Sequence, residues 1–303
     1  MGLTQRHSVI QYLPVSPHCN LSFMPALWML LSCLLFACMG VCVKLASASF
    51  STGEVVFYRG IISMLMMVGL ARSQGIRLRT PHWRMHVSRS VSGSTALSCY
   101  FFAIGALPLA TAVTLNYTSP IFVALLLAVV FRERLGWAGL LSIGVGFAGV
   151  VLLLRPTLTS EQWLGALAGL SSGAIASVAY ISVRELGRVG EPEVRTVFWF
   201  SLVTLLFGLA AALHAGPHLP DAQESFIVLG VGLFGGLAQL AMTRSYRYGH
   251  TLVSANLSYA TVVFASLFGA LLWGEHMPWL SWVAVALIVS SAVMISLRPR
   301  RKP

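Results

Sequence analysis

The sequence predicts an all-α integral membrane protein, with ten transmembrane helices arranged as two inverted five-helix repeats. Three observations carry that expectation. Of 303 residues, 57% are apolar and only 10% are Asp, Glu, Lys or Arg, where a soluble domain carries roughly 25% charged residues; the mean hydropathy is +0.80. The apolar residues fall in continuous runs of the ~20 residues that cross hydrocarbon, without the alternation of a β-barrel. A shift of 142 residues then lays part of the second half on the first. A disordered chain, a collagen and an ordinary soluble enzyme are excluded by these figures.

The elements follow in order. Residues 1–24 form a polar tail with Pro14, Pro17 and one basic residue, Arg6. No charged n-region leads into a short apolar core with a cleavage site, so the segment reads as a tail and not a signal peptide. Spans are expected at about 26–46, 53–71, 87–107, 109–131 and 136–154, then at about 162–183, 194–213, 225–246, 251–273 and 278–297. Pro81, Pro108, Pro156, Pro192, Pro217, Pro278 and Pro299 fall near the span ends, where a missing amide is tolerated. The first repeat is taken as 25–156, the second as 157–298, and 299–303 as a basic tail. Cys33, Cys38 and Cys42 in the first span and Cys99 in the third read as small core residues; Cys19 lies in the tail, and no Cys-x-x-Cys occurs.

Lys and Arg set the orientation. With the N-terminus inside, the inner segments hold 17 of the 20 basic residues, including Arg72, Arg77, Arg79, Arg84 and Arg89. The outer loops hold Arg155, and Lys44 and Arg59 lie within spans. The net charge of +11 is therefore a topology signal with anionic lipid as its natural contact, not a nucleic-acid footprint.

The repeat lays 115–151 on 257–293, matching Tyr117, Glu133 and Trp137 to Tyr259, Glu275 and Trp279. Earlier, Val43-Lys44 parallels Val183-Arg184 and Val56-Phe57 parallels Val197-Phe198. Five spans per half is an odd number, so the second copy enters the membrane in the opposite sense. Inverted repeats of this kind belong to secondary transporters, whose substrate lies near midplane between the halves.

One stretch runs Phe101-Phe102-Ala103-Ile104-Gly105-Ala106-Leu107-Pro108-Leu109-Ala110-Thr111-Ala112. It continues through Ser119-Pro120-Ile121-Phe122-Val123-Ala124 to Arg132-Glu133-Arg134-Leu135, and a glycine-rich span ends at Leu154-Arg155-Pro156. On these residues the chain resembles the drug/metabolite transporter superfamily, EamA type, over roughly 26–298. The second copy has Val262 where a proline is usual, and keeps the turn Trp273-Gly274-Glu275-His276. The resemblance implies a multi-pass carrier of the bacterial cell inner membrane with both termini cytoplasmic and the fifth and tenth helices peripheral. Its implied cargo is a small polar or zwitterionic metabolite, an amino acid or an opine-type metallophore, moved outward. Uptake of a vitamin or nucleoside-type metabolite such as riboflavin or S-adenosylmethionine is the alternative. Membrane lipids are the other expected partners, no cofactor is implied, and a homodimer stays open. An intramembrane enzyme would need convergent acids, a catalytic His or a metal cluster at membrane depth, and the sequence displays none.

Polar groups within spans are the site candidates. Arg59, beside Tyr58, has the fork that receives a carboxylate; the bland account has it snorkelling or pairing with Glu54. Asn116 and Tyr117 face a near-repeat in Asn256, Ser258 and Tyr259, where amides and phenols suit an amino-acid-like ligand or simple interhelical bonding. Tyr100, Tyr180, Trp199 and Gln239 complete the expected lining. Lys44 is expected to snorkel, to pair with Glu54 or to gate the outer mouth, and Glu133 and Glu275 to favour the helix N-termini that follow them. Two glycine patterns, Gly144 to Gly149 and Gly230 to Gly235, have dinucleotide spacing but lie inside spans, where they serve close packing. The pairs His82/His86 and His214/His218 have no nearby Cys or Glu in sequence and read as loop histidines, not metal ligands. No Walker lysine motif occurs, and all nine acidic residues fall in loops or near helix ends, which favours uniport, exchange or substrate-coupled proton movement over a dedicated proton relay.

Overall fold

In this computed structural model the described residues are 23–130, 141, 144–146, 148–149, 152, 162–215, 219–249, 254, 257–275 and 278–296. Most of the fifth expected span, both tails, Glu133 and Asn256 lie outside them. The described residues form helices α1 (Phe23–Ala46), α2 (Thr52–Ser73), α3 (Trp83–Ala106), α4 (Leu109–Asn116) and α5 (Ser119–Val130) in the first half. The second half supplies α6 (Trp163–Arg188), α7 (Glu193–Ala215), α8 (Ala222–Tyr248), α9 (Ala260–Trp273) and α10 (Trp279–Ser296). No strand occurs among the described residues. By length and composition α1, α2, α6, α7 and α8 can each cross a bilayer. Leu65, Leu164, Leu206, Phe226 and Leu271 lie exposed on the outer surface, as lipid-facing positions do and as a water-facing surface does not. The fourth span is divided into α4 and α5, and α9 is the second part of the ninth.

Local chemistry starts two of these helices. Ser51 and Glu54 form a reciprocal capping box before α2, and Asp221 and Glu224 form another before α8, so orphan amides at both entry points are satisfied. At the far end of α9, Gly274 takes a left-handed conformation with φ 60°, which costs glycine nothing.

The strongest packing joins α2 to α7, α3 to α6 and α1 to α8, each a helix of the first half against one of the second. Exchanging the halves carries α2–α7 onto itself and turns α1–α8 into α6–α3. The packing thus has the two-fold relation expected of an inverted repeat. Hydroxyls bind the seams: Ser32 Oγ donates to the Ala238 carbonyl at 2.9 Å, Ser63 Oγ to that of Gly232 at 2.8 Å, and Ser94 Oγ and Thr204 Oγ1 share a bond of 2.8 Å. At the α2–α7 crossing the backbones nearly touch, because a Cβ on Gly208 would overlap the Phe57 backbone.

Gly208→Val is therefore expected to lower the apparent Tm of the detergent-solubilised protein sharply, at the upper end of the roughly 1–3 kcal/mol range for overpacking. Gly187→Ala, whose Cβ would meet nothing within 4 Å, should leave it unchanged or raise it.

Candidate functional site

The site begins where two helices stop. Pro120 has no amide to give, and the fourth span breaks at Tyr117-Thr118. The Thr118 hydroxyl turns back to donate to the Leu115 carbonyl at 2.7 Å. The ninth span breaks at Ser258-Tyr259, which the repeat places over Asn116-Tyr117. Val262, standing where Pro120 stands in the first half, does not restore the helix: its amide donates to the Tyr259 carbonyl at 3.0 Å, the tighter i→i−3 pattern of a 3₁₀ turn. The carbonyls of Leu257 and Ser258 accept the Cys33 thiol of α1, at 3.4 and 3.7 Å. Their counterparts, Leu115 and Asn116, lie against Gly173 of α6, where a side chain would collide with both.

The two breaks meet. The rings of Tyr117 and Tyr259 lie 6.4 Å apart at 56°, and Thr261 Oγ1 donates to the Tyr117 hydroxyl at 2.9 Å. Beside them is a cavity of about 70 Å³, walled by Phe36 and Met39 of α1, Arg89, Gly93, Ala96, Leu97 and Tyr100 of α3, and Asn116 and Tyr117. Ala176, Ala179 and Tyr180 of α6, Phe200 of α7 and Gln239 of α8 complete the wall.

Arg89 is the charged group of this wall. It sits in the second turn of α3, 3% exposed, and Gly93 leaves room for its side chain, since a Cβ there would strike Nη1. Its guanidinium carbon lies 4.1 Å from the Phe200 ring centroid, a cation–π distance. Nη2 donates to Gln239 Oε1 at 3.3 Å, whereas Nε and Nη1 have no hydrogen-bond partner. Asn116 is held by Ser172, whose hydroxyl donates to Oδ1 at 3.0 Å, and Tyr180 stacks on Tyr246 at 6.4 Å. A desolvated fork with open donors, an oriented amide and phenols set in apolar walls can bind a carboxylate and orient what is attached to it.

Each face of the molecule is tied across the halves. On one, Lys44 Nζ pairs with Glu275 Oε1 at 2.6 Å and donates to the Leu107 carbonyl at 3.1 Å, while the Leu109 amide donates to both Glu275 oxygens at 3.1 and 3.0 Å. This corrects two expectations. Lys44 pairs with Glu275 and not Glu54. Glu275 satisfies the N-terminus of α4 in the other half rather than the helix that follows it, because α4 has no side-chain cap of its own. On the opposite face Glu191 accepts from Thr80 Oγ1 and from Arg195 Nη1 at 2.8 Å, and lies 3.0 Å from His82 Nδ1 and 3.4 Å from His86 Nε2. His82 and His86 thus have a glutamate neighbour that the sequence does not place beside them, yet no metal-binding group exists among the described residues.

A family model described as the EamA-like transporter family matches the chain twice, over residues 23–155 and 163–297. The chain belongs to this family. It is 30% identical to the pseudopaline exporter CntI of Pseudomonas aeruginosa, over 86% of this chain and 92% of that protein. It is 26% identical to a riboflavin transporter of Vibrio cholerae, over 89% and 92%, and 21% identical to an S-adenosylmethionine uptake transporter of Rickettsia prowazekii, over 91% and 92%. A crystal structure at 23% identity superposes with a TM-score of 0.68, covering 90% of this chain and 96% of that one, and bears out the fold alone.

Within this EamA-type frame, Tyr100, Asn116, Tyr117, Tyr180 and Gln239 are brought together at the cavity. Tyr259 adjoins it through Tyr117, and Asn256 lies outside the described residues. Tyr58 packs with Phe50 and Phe57 away from the cavity. Trp199 lies on the Glu191 face, where its indole donates to the Leu78 carbonyl at 3.1 Å. Arg59 neither snorkels nor reaches the cavity wall: it is 0% exposed, behind Phe200. Arg89 is the residue that sequence reasoning missed. Counted with the basic loop residues that set orientation, it belongs to the span, and the signal was the helical face it shares with Gly93, Ala96, Leu97 and Tyr100.

Burial works to raise the Glu191 carboxyl, but bonds from Thr80, His82 and Arg195 outweigh it and lower the group to about 2, from an ordinary 4.5. A depressed folded-state value means stability that is present above the unfolded value and lost as pH falls through the folded one. The Tm difference between wild type and Glu191→Gln should accordingly stay constant above about pH 5 and shrink between about pH 4.5 and pH 2.

Proposed function

We propose that this chain is a secondary carrier of the bacterial inner membrane that exports a small carboxylate-bearing metabolite, amino-acid-like or opine-like, by alternating access between its two halves. It is a carrier and not an enzyme. One observation carries the reading: Arg89 presents open guanidinium donors to a cavity built where two broken helices meet. Discontinuous helices at the interface of inverted repeats are the usual setting of a transporter's substrate site. The cavity, at about 70 Å³, is far below the roughly 300–1,000 Å³ of a ligand pocket, so the halves part before cargo enters. Opening toward one side breaks the Lys44–Glu275 tie; opening toward the other breaks the Glu191 network.

The exporter reading draws on the likeness to a protein named for exporting pseudopaline. Relatives named for riboflavin and for S-adenosylmethionine uptake support the alternative direction. The basic residues gathered around Glu191, among them Arg77, Arg79, Arg84, Arg188, Arg195 and Arg247, favour that face as the cytoplasmic one. A reporter fused after Pro303 should then signal from the cytoplasm.

Counterflow in proteoliposomes with a panel of amino acids and N-carboxyalkyl amino acids tests the substrate class. Saturable exchange is expected for at least one carboxylate-bearing compound. Arg89→Ala should lower its kcat/KM by at least about 100-fold, as loss of a buried charge partner does, and Arg89→Lys should recover only a small part, since a point charge does not replace the fork. Equal flux in wild type and Arg89→Ala, or no counterflow with any carboxylate, would sink the reading.

A further inference from the structure

Arg59 and Arg89 rest on the same ring. The guanidinium carbon of Arg59 lies 5.0 Å from the Phe200 centroid and that of Arg89 4.1 Å. Among the described residues none of the three side-chain nitrogens of Arg59 has a hydrogen-bond partner, and two of the three on Arg89 have none. Neither arginine has a carboxylate within ion-pair distance among the described residues. A buried charge is costly unless it is paired and hydrogen-bonded, and two like charges against one ring repel each other. The face of a single phenyl ring, worth on the order of 1–2 kcal/mol to a desolvated cation, does not offset two such burials. The counter-charge has to arrive from outside the wall.

Arg59 does not line the cavity, but the Phe200 ring against which its guanidinium packs does, and so does Met39. On its other side Arg59 Nε lies against Gly235, where a Cβ would come within 3.0 Å. The Phe200 ring is thus the side chain shared by Arg59, Arg89 and the cavity wall. We infer that the site reads two anionic groups, Arg89 taking the first and Arg59 the second once Phe200 swings off its two guanidinium neighbours, so that the preferred cargo is a dicarboxylate. This rests on the cavity being the cargo site, as proposed above.

The test uses the full-length protein in nanodiscs and two matched pairs of probes: N-(1-carboxyethyl)alanine with its monoamide, and glutamate with glutamine. Each pair differs by one negative charge at nearly constant shape. In at least one pair the wild type should bind the dicarboxylate at least about tenfold more tightly than its amide. Arg59→Gln should erase that preference while leaving the amide's affinity within about twofold, and Arg89→Gln should weaken both members. Should Arg59→Gln not fold, Arg59→Lys, which keeps the charge, should retain part of the preference, and Phe200→Ala, which uncovers Arg59, should enlarge it. Equal binding of acid and amide by the wild type overturns the dicarboxylate inference, and so does parallel weakening of both in Arg59→Gln. If amides bind, and bind through Arg89, without any preference for the acid, only this inference falls. If no probe binds, the carboxylate-carrier reading falls with it.

Discussion

Backbone amides and carbonyls inside a bilayer have no water to turn to, and the fourth and ninth spans of this chain nevertheless break part-way along. Everything around the breaks answers that constraint. In the first half the Thr118 hydroxyl returns to the Leu115 carbonyl, and Gly173 lets α6 close over the gap. In the second the Cys33 thiol of α1 reaches the equivalent carbonyls, Leu257 and Ser258. Each break thus lies against a helix of the opposite half, α6 packing on the fourth span and α1 donating to the ninth. The break of the ninth span uses a donor from the opposite half, and the break of the fourth span is packed by a glycine of the opposite half, so both are tied to the interlocked packing of α1, α2 and α3 with α8, α7 and α6.

The few charges are divided by depth. The described acids lie at the faces: Glu275 bridges Lys44 and the start of α4, and Glu191 gathers Thr80, His82 and Arg195. The interior holds cations without acids, Arg59 and Arg89. A protein seeking stability alone would place apolar side chains there, because a buried charge does not stabilise a fold by itself. The dicarboxylate proposed above would supply the missing counter-charge, with Phe200 the ring on which both guanidinium groups rest.

Much of this was legible in the sequence because it depended on composition and period. Span count, repeat and the central position of Tyr117 and Tyr259 follow from apolar run length and from the 142-residue shift. Tyr100, Tyr180 and Gln239 were reachable as polar groups in apolar surroundings. What escaped depended on contacts between distant segments. Glu275 and Leu109 are 166 positions apart, and nothing local to Glu275 signals that it caps a helix of the other half. Glu191 and His82 are 109 apart, so the two histidines read as loop residues. Arg89 was hidden by a different effect: basic residues near a span end carry orientation by rule, and that rule absorbs an arginine whose own turn has already entered the membrane. Trp199, singled out as an aromatic within a span, serves the Glu191 face because its indole finds the Leu78 carbonyl.

Val262 bears on how such a site persists. If Pro120 alone made the break, a valine at the equivalent place would heal the ninth span and the two halves would lose their correspondence. The ninth span still turns at Ser258-Tyr259, with Thr261 and Val262 both bonding three residues back. The hydroxyl of that same Thr261 donates to Tyr117 across the interface, and the carbonyls in front of it are taken by Cys33. Partners supplied by the opposite half therefore hold open a break that local sequence no longer imposes. The correspondence between the halves at these breaks lies in paired contacts rather than in matched residues, and sequences that have drifted apart can keep it as long as those contacts between the halves are held.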